Sequence, residues 1–75
     1  MRLEVIVATN VRNLRKKKNL TQEALAIKAG LSPNFLACFE RGETGLALSR
    51  LEKIAKALGV KPSLLLEPDA YRQVD

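Results

Sequence analysis

The run Gly30-Leu31-Ser32-Pro33 leaves the chain little choice of fold. Glycine takes the left-handed conformation that closes a helix, serine accepts a hydrogen bond from the first N–H groups of a new one, and proline at the first helical position loses no bond. One helix therefore stops at Gly30 and another begins at Pro33, with only Leu31 between Gly30 and Ser32. Upstream, Thr21 is spaced to cap the first helix through the N–H of Glu23 or Ala24, while Gln22 and Glu23 put acceptors at its positive end. Leu25, Ala26 and Ala29 form its inner face. Downstream, Leu36 and Phe39 give residues Pro33 to Arg41 a buried stripe, and Gly42 ends them. Two short helices joined by a tight glycine turn constitute a helix-turn-helix unit.

The flanking segments are helical too. From Leu3 to Lys18, the residues Leu3, Val7, Val11 and Leu14 recur in steps of three or four, which is one apolar stripe of an amphipathic helix. Its start is open, because Val5 to Val7 are β-branched and Thr9 offers a later cap. Leu48, Leu51, Ile54, Ala55 and Leu58 trace a fourth helix ending at Gly59, with Ala47 as a poor N-cap and Ser49 as a fallback. Pro62 opens a last short helix through Leu66, and Pro68 stops it. The expected architecture is an all-α, compact five-helix domain over residues 1–66, followed by a short, polar, mobile tail over 67–75.

Charge narrows the function. Met1 to Arg41 carries eight basic and three acidic side chains, whereas Gly42 to Asp75 carries five of each, so the whole net charge of +5 belongs to the half containing the helix pair. A basic surface attracts polyanions by releasing their counterions, which makes nucleic acid the leading partner. Lys16, Lys17 and Lys18 fit that attraction, but a charge run is more often a solvated face. With no histidine, one cysteine and no phosphate-cradling glycine loop, the chain offers neither a metal site nor a general base, nucleophile or cofactor site, and enzymatic function is not expected. Its longest apolar run, Val5 to Ala8, cannot span a bilayer, so the expected location is the cytoplasm with no membrane contact.

Four segments carry a resemblance: Val11-Arg12-Asn13-Leu14-Arg15, Leu20-Thr21-Gln22-Glu23-Ala24-Leu25-Ala26, Phe39-Glu40-Arg41-Gly42 and Ile54-Ala55-Lys56-Ala57-Leu58-Gly59-Val60. In this order they resemble the phage-repressor-like (Xre, or Cro/repressor) helix-turn-helix family, and among its members the small controller proteins of restriction-modification systems. The resemblance implies a lambda-repressor-like DNA-binding domain whose second helix lies across the backbone of duplex DNA and whose third enters the major groove. It places Gln22 on a phosphate, although Gln22 could also cap its own helix. Arg41 is placed beside the backbone, with a helix C-terminal contact as its alternative, and the cap residues Thr21 and Ser32 join these two at the helix openings. Arg15 and Glu40 match the family's ion pair between helices one and three, unless both are solvated surface charges.

Base reading then falls on Pro33, Asn34, Ala37 and Cys38, with Phe35 at the margin and half-buried packing as its alternative. Asn34 alone can make a paired donor–acceptor contact with adenine, while Ala37, Cys38 and Phe35 can pack on thymine methyls, so an A·T-biased half-site follows, with part of the discrimination coming from DNA shape. Leu64-Leu65-Leu66 is too apolar for one short surface helix to hide, and it is expected to form the contact of a homodimer reading an inverted repeat, or else to pack beneath the tail around Tyr71. A transcriptional regulator is the favoured function. The alternative is a protein-interaction module on the same fold, such as an antitoxin or anti-repressor, using the apolar side of helix three.

Overall fold

The computed structural model describes residues 2–74 and contains four α-helices, α1 (Leu3–Lys17), α2 (Gln22–Ala29), α3 (Pro33–Glu40) and α4 (Leu48–Leu58), followed by two 3-10 helices, Pro62–Leu66 and Ala70–Gln73. Capping follows the sequence closely. Thr21 Oγ1 accepts from the Ala24 N–H and Ser32 Oγ from the Phe35 N–H, both at 3.0 Å. Gly30 has φ +72°, and the Leu31 N–H reaches back to the Ala26 carbonyl at 2.8 Å. That bond closes α2 and turns the chain into α3, and at such a φ any residue with a Cβ would be strained. Asn19, Gly42 and Gly59 end α1, α3 and α4 with the same bond to the carbonyl five residues back. Asparagine can serve in α1 because its short polar side chain tolerates the left-handed region. As expected, α4 has Ala47 at its N-cap and no side-chain cap, and Ser49 is not used instead.

The helices close around one core. Val11 and Leu14 of α1, Leu25 and Ala26 of α2, Leu36 and Phe39 of α3, Ile54 and Ala55 of α4, and Leu65 are wholly enclosed. Each large side chain removed from water in this way stabilises the fold by about 1.5–3 kcal/mol. Thr9 starts nothing, since α1 runs through it from Leu3.

Two differences from the sequence reading lie at the C-terminal end. The fifth helix is a 3-10 turn, because the five residues between Lys61 and Glu67 are too few to repay α-helix nucleation. The tail, expected to be mobile, is folded: Ala70 is fully buried, and Tyr71 and Val74 pack against the core. A buried asparagine in α1 holds it. Asn10 Nδ2 donates to the carbonyls of Leu65 (2.9 Å) and Glu67 (2.7 Å), and its Oδ1 accepts from the Tyr71 N–H at 3.2 Å. Lys17 Nζ adds bonds to the Tyr71 and Val74 carbonyls, each at 2.6 Å.

Candidate nucleic-acid interface

The ends of α1, α2 and α3 meet at one charged cluster. Arg15 spans it as a two-pronged fork, with Nε donating to Glu40 Oε2 at 2.9 Å and Nη2 to Glu40 Oε1 at 3.0 Å. Its remaining nitrogen, Nη1, donates to the Leu20 carbonyl at 2.8 Å, in the turn leading to α2. The two side chains are only 10% and 2% exposed, so this is an enclosed pair and not two solvated charges. Geometry of this kind fixes the angle at which α3 leaves the bundle.

Gln22 joins the same cluster. Its amide nitrogen donates to Glu40 Oε1 at 3.1 Å, so the side chain belongs to the inter-helix network, and the cap of α2 is supplied by Thr21. An amide nitrogen carries two hydrogens, and this contact uses one. Above the pair lies a shallow depression whose walls include Arg12, Lys16, Gln22 and Arg41. Three cations and an amide therefore face one opening, an arrangement complementary to a phosphate. Arg12 had no assigned role in the sequence reading and Lys16 was weighed only as part of the basic run; their spacing puts them on one face of α1, but that this face adjoins Gln22 and Arg41 is visible only after the helices are packed.

Arg41 is exposed and already partnered. Nε and Nη2 donate to the two carboxylate oxygens of Glu43 at 2.8 and 2.9 Å, and Nη2 also lies 3.5 Å from Cys38 Sγ. The hydrogen bond from Arg41 holds the Glu43 carboxyl below its ordinary range. A phosphate at Arg41 would have to displace this carboxylate.

Along α3 the expected base readers divide. Pro33 and Asn34 are exposed at its first turn, and Ala37 and Cys38 are half-buried. Phe35 turns inward, with its ring nearly parallel to that of Phe39 (interplanar angle 8°, centroids 6.4 Å apart) and packed against the core. The Arg50 guanidinium of α4 covers Phe35 at 4.3 Å from the ring centroid. Nothing in the sequence marked Arg50, because a contact fifteen residues apart across a turn has no local signature. Thr21 and Ser32 spend an oxygen lone pair on their caps, which leaves each hydroxyl proton able to donate outward.

The three leucines expected at a dimer contact do not form one surface. A 3-10 helix has about three residues per turn, so consecutive side chains point in three directions. Leu65 is completely enclosed in its own core and cannot meet a partner. Leu64 lines a shallow depression with Val60 and Val74, whereas Leu66, 38% exposed, lines another with Leu3, Leu46 and Leu48. Leu48 is 76% exposed and Leu3 51%, so this second group leaves an apolar surface uncovered where the start of α1, the start of α4 and Leu66 meet. Among the described residues there is no group of metal-ligating side chains, and no helix is long and apolar enough to cross a membrane.

A family model described as Helix-turn-helix matches residues 11–65. The control protein C.BamHI of Bacillus amyloliquefaciens is 38% identical over 66 residues, which cover 87% of this chain and 82% of that protein. Among solved structures, the hypothetical transcription factor NHTF from Neisseria superposes with a TM-score of 0.88 at 39% identity, over 96% of this chain and 83% of that one. The restriction-modification controller protein C.AhdI from Aeromonas hydrophila gives 0.79 at 35% identity, over 83% and 94% respectively. With its two short helices joined by a left-handed glycine turn, and with a family model matching most of its length, this chain belongs to the helix-turn-helix family.

Proposed function

We propose that the protein is a sequence-specific, DNA-binding transcriptional regulator, acting as a homodimer on an inverted-repeat operator with α3 in the major groove. The observation that carries this reading is the depression over the Arg15–Glu40 pair. There Gln22 at the opening of α2, with Arg12 and Lys16 and with Arg41 once Glu43 is displaced, forms a cationic seat for a backbone phosphate beside the C-terminal end of α3. Asn34 reads a base edge, Pro33, Ala37 and Cys38 supply the apolar margin, and Thr21 and Ser32 donate to phosphate through their hydroxyl protons. The relatives named as control or controller proteins support a controller role within a restriction-modification system.

The homodimer is assigned to the leucines around Leu48 and Leu66 in place of the Leu64–Leu66 run. They give an uncovered apolar surface that a two-fold axis can pair with itself. The protein-interaction alternative is weakened by Phe35, which faces its own core and Arg50 and so removes the main apolar residue from the open side of α3.

Titration of a duplex from the source genome across salt concentrations tests the reading. Affinity should fall steeply, with log K linear in log salt. A flat dependence, or no binding to any genomic duplex, refutes it.

A further inference from the structure

We propose that Arg50, held on the face of Phe35, is a binding residue for a DNA phosphodiester beside the N-terminal end of α3. This rests on the DNA-binding reading above and assigns that reading a contact from α4. A guanidinium stacked on a ring uses its flat face, while its five N–H donors lie in the plane and point away from the stack. Among the described residues, no acceptor or carboxylate pairs with the Arg50 side chain, in contrast to Arg41, whose fork is filled by Glu43.

The platform is itself fixed. Phe35 lies nearly parallel to Phe39, which is fully buried, so the contact runs from the core through Phe35 to the guanidinium. Phe35 occupies the first turn of α3, the part of a recognition helix that meets base edges. A cation carried there lies along the phosphates flanking the groove, and a planar fork suits two oxygens of one phosphate. Phe35 is then a positioning residue that aims Arg50, and it reads no base itself.

The test measures binding of a mixed-sequence DNA duplex by fluorescence anisotropy across salt, for the full chain and for Arg50→Ala, Phe35→Leu, their combination, and Lys56→Ala. Lys56 lies six residues further along α4 and carries the same charge, exposed, away from α3. Arg50→Ala should weaken binding by roughly tenfold or more per protomer, and should reduce the slope of log K against log salt by about 0.9 for each phosphate released. Lys56→Ala should leave the slope unchanged. Phe35→Leu should weaken binding when Arg50 is present and add little when it is absent. An unchanged slope in Arg50→Ala, or an equal reduction in Lys56→Ala, overturns the assignment even if Phe35→Leu fails to fold. Failure of the unmodified protein to bind any duplex would instead remove the DNA reading on which it rests.

Discussion

Replacing Asn10 with leucine should cost this small domain a large part of its stability. Leucine has the same branching at Cγ and is the larger of the two, so the change removes hydrogen bonds without opening a cavity. Three backbone groups lose their partner: the carbonyls of Leu65 and Glu67 and the N–H of Tyr71. The Leu65 carbonyl is the worst placed, since its residue is fully buried and water cannot reach it without opening the core. Stranding a buried polar group costs about 1–3 kcal/mol, and with the two partly buried groups near the lower end the sum is about 3–5 kcal/mol. A domain of 75 residues has about 4–11 kcal/mol in total at ~0.05–0.15 kcal/mol per residue. The melting temperature should therefore fall by about 12–40 °C, at roughly 4–8 °C per kcal/mol for this size. Thermal melts followed by circular dichroism measure the loss, and hydrogen exchange at the Tyr71 amide locates it. If the variant melted within about 5 °C of the parent, roughly what a single kcal/mol moves, or if Tyr71 kept its protection, the argument that this clamp ties the tail to α1 would be wrong.

Arg15→Ala and Asn34→Ala should have separable phenotypes. The first leaves the Glu40 carboxylate stranded and should cost about 3–5 kcal/mol without changing which operator is preferred, whereas the second should relax base preference, by about 1–3 kcal/mol of discrimination, with little effect on melting. Denaturant unfolding and competition among operator variants read the two effects; a changed base preference in a fully stable Arg15→Ala protein would reverse the roles. Leu48→Lys combined with Leu66→Glu should yield a folded monomer by sedimentation that binds a full operator no better than a half operator. A dimer surviving both changes would place the two-fold contact elsewhere.

The parts of the fold legible from sequence are those decided within a few residues. Thr21, Ser32 and Pro33 start helices, and Gly30, Gly42 and Gly59 end them, by bonds to groups three to five positions away, so residue type and spacing suffice. The Arg15–Glu40 pair was available only through the family resemblance, because periodicity alone could not bring α1 to the end of α3. What escaped the reading depends on tertiary placement or on helix type. Asn10 has the composition of a surface residue and becomes a clamp only because Leu65, Glu67 and Tyr71 arrive beside it. The leucine run could not be divided from sequence, because consecutive side chains on any helical turn point in different directions and only the packed bundle shows that Leu65 enters the core while Leu64 and Leu66 line separate depressions. Within the interface, positions on α3 could be enumerated from sequence, but the loss of Phe35 to Arg50 and of Arg41 to Glu43 could not.

The bonds from α1 to the 3-10 turn at Ala70–Gln73 and its neighbours also set an order of events during synthesis. The first helix emerges early, yet Asn10 and Lys17 find their final acceptors and donor only at Leu65, Glu67, Tyr71 and Val74. Until Tyr71 is available, Asn10 of α1 faces an apolar core with its hydrogen bonds incomplete, which favours an opened state over the finished bundle. The helix pair can assemble from local contacts while the chain is still growing, but the bundle locks in one late step. A nascent chain stalled before Tyr71 should accordingly be sensitive to protease along α1, and its release should be what makes the DNA-binding unit durable.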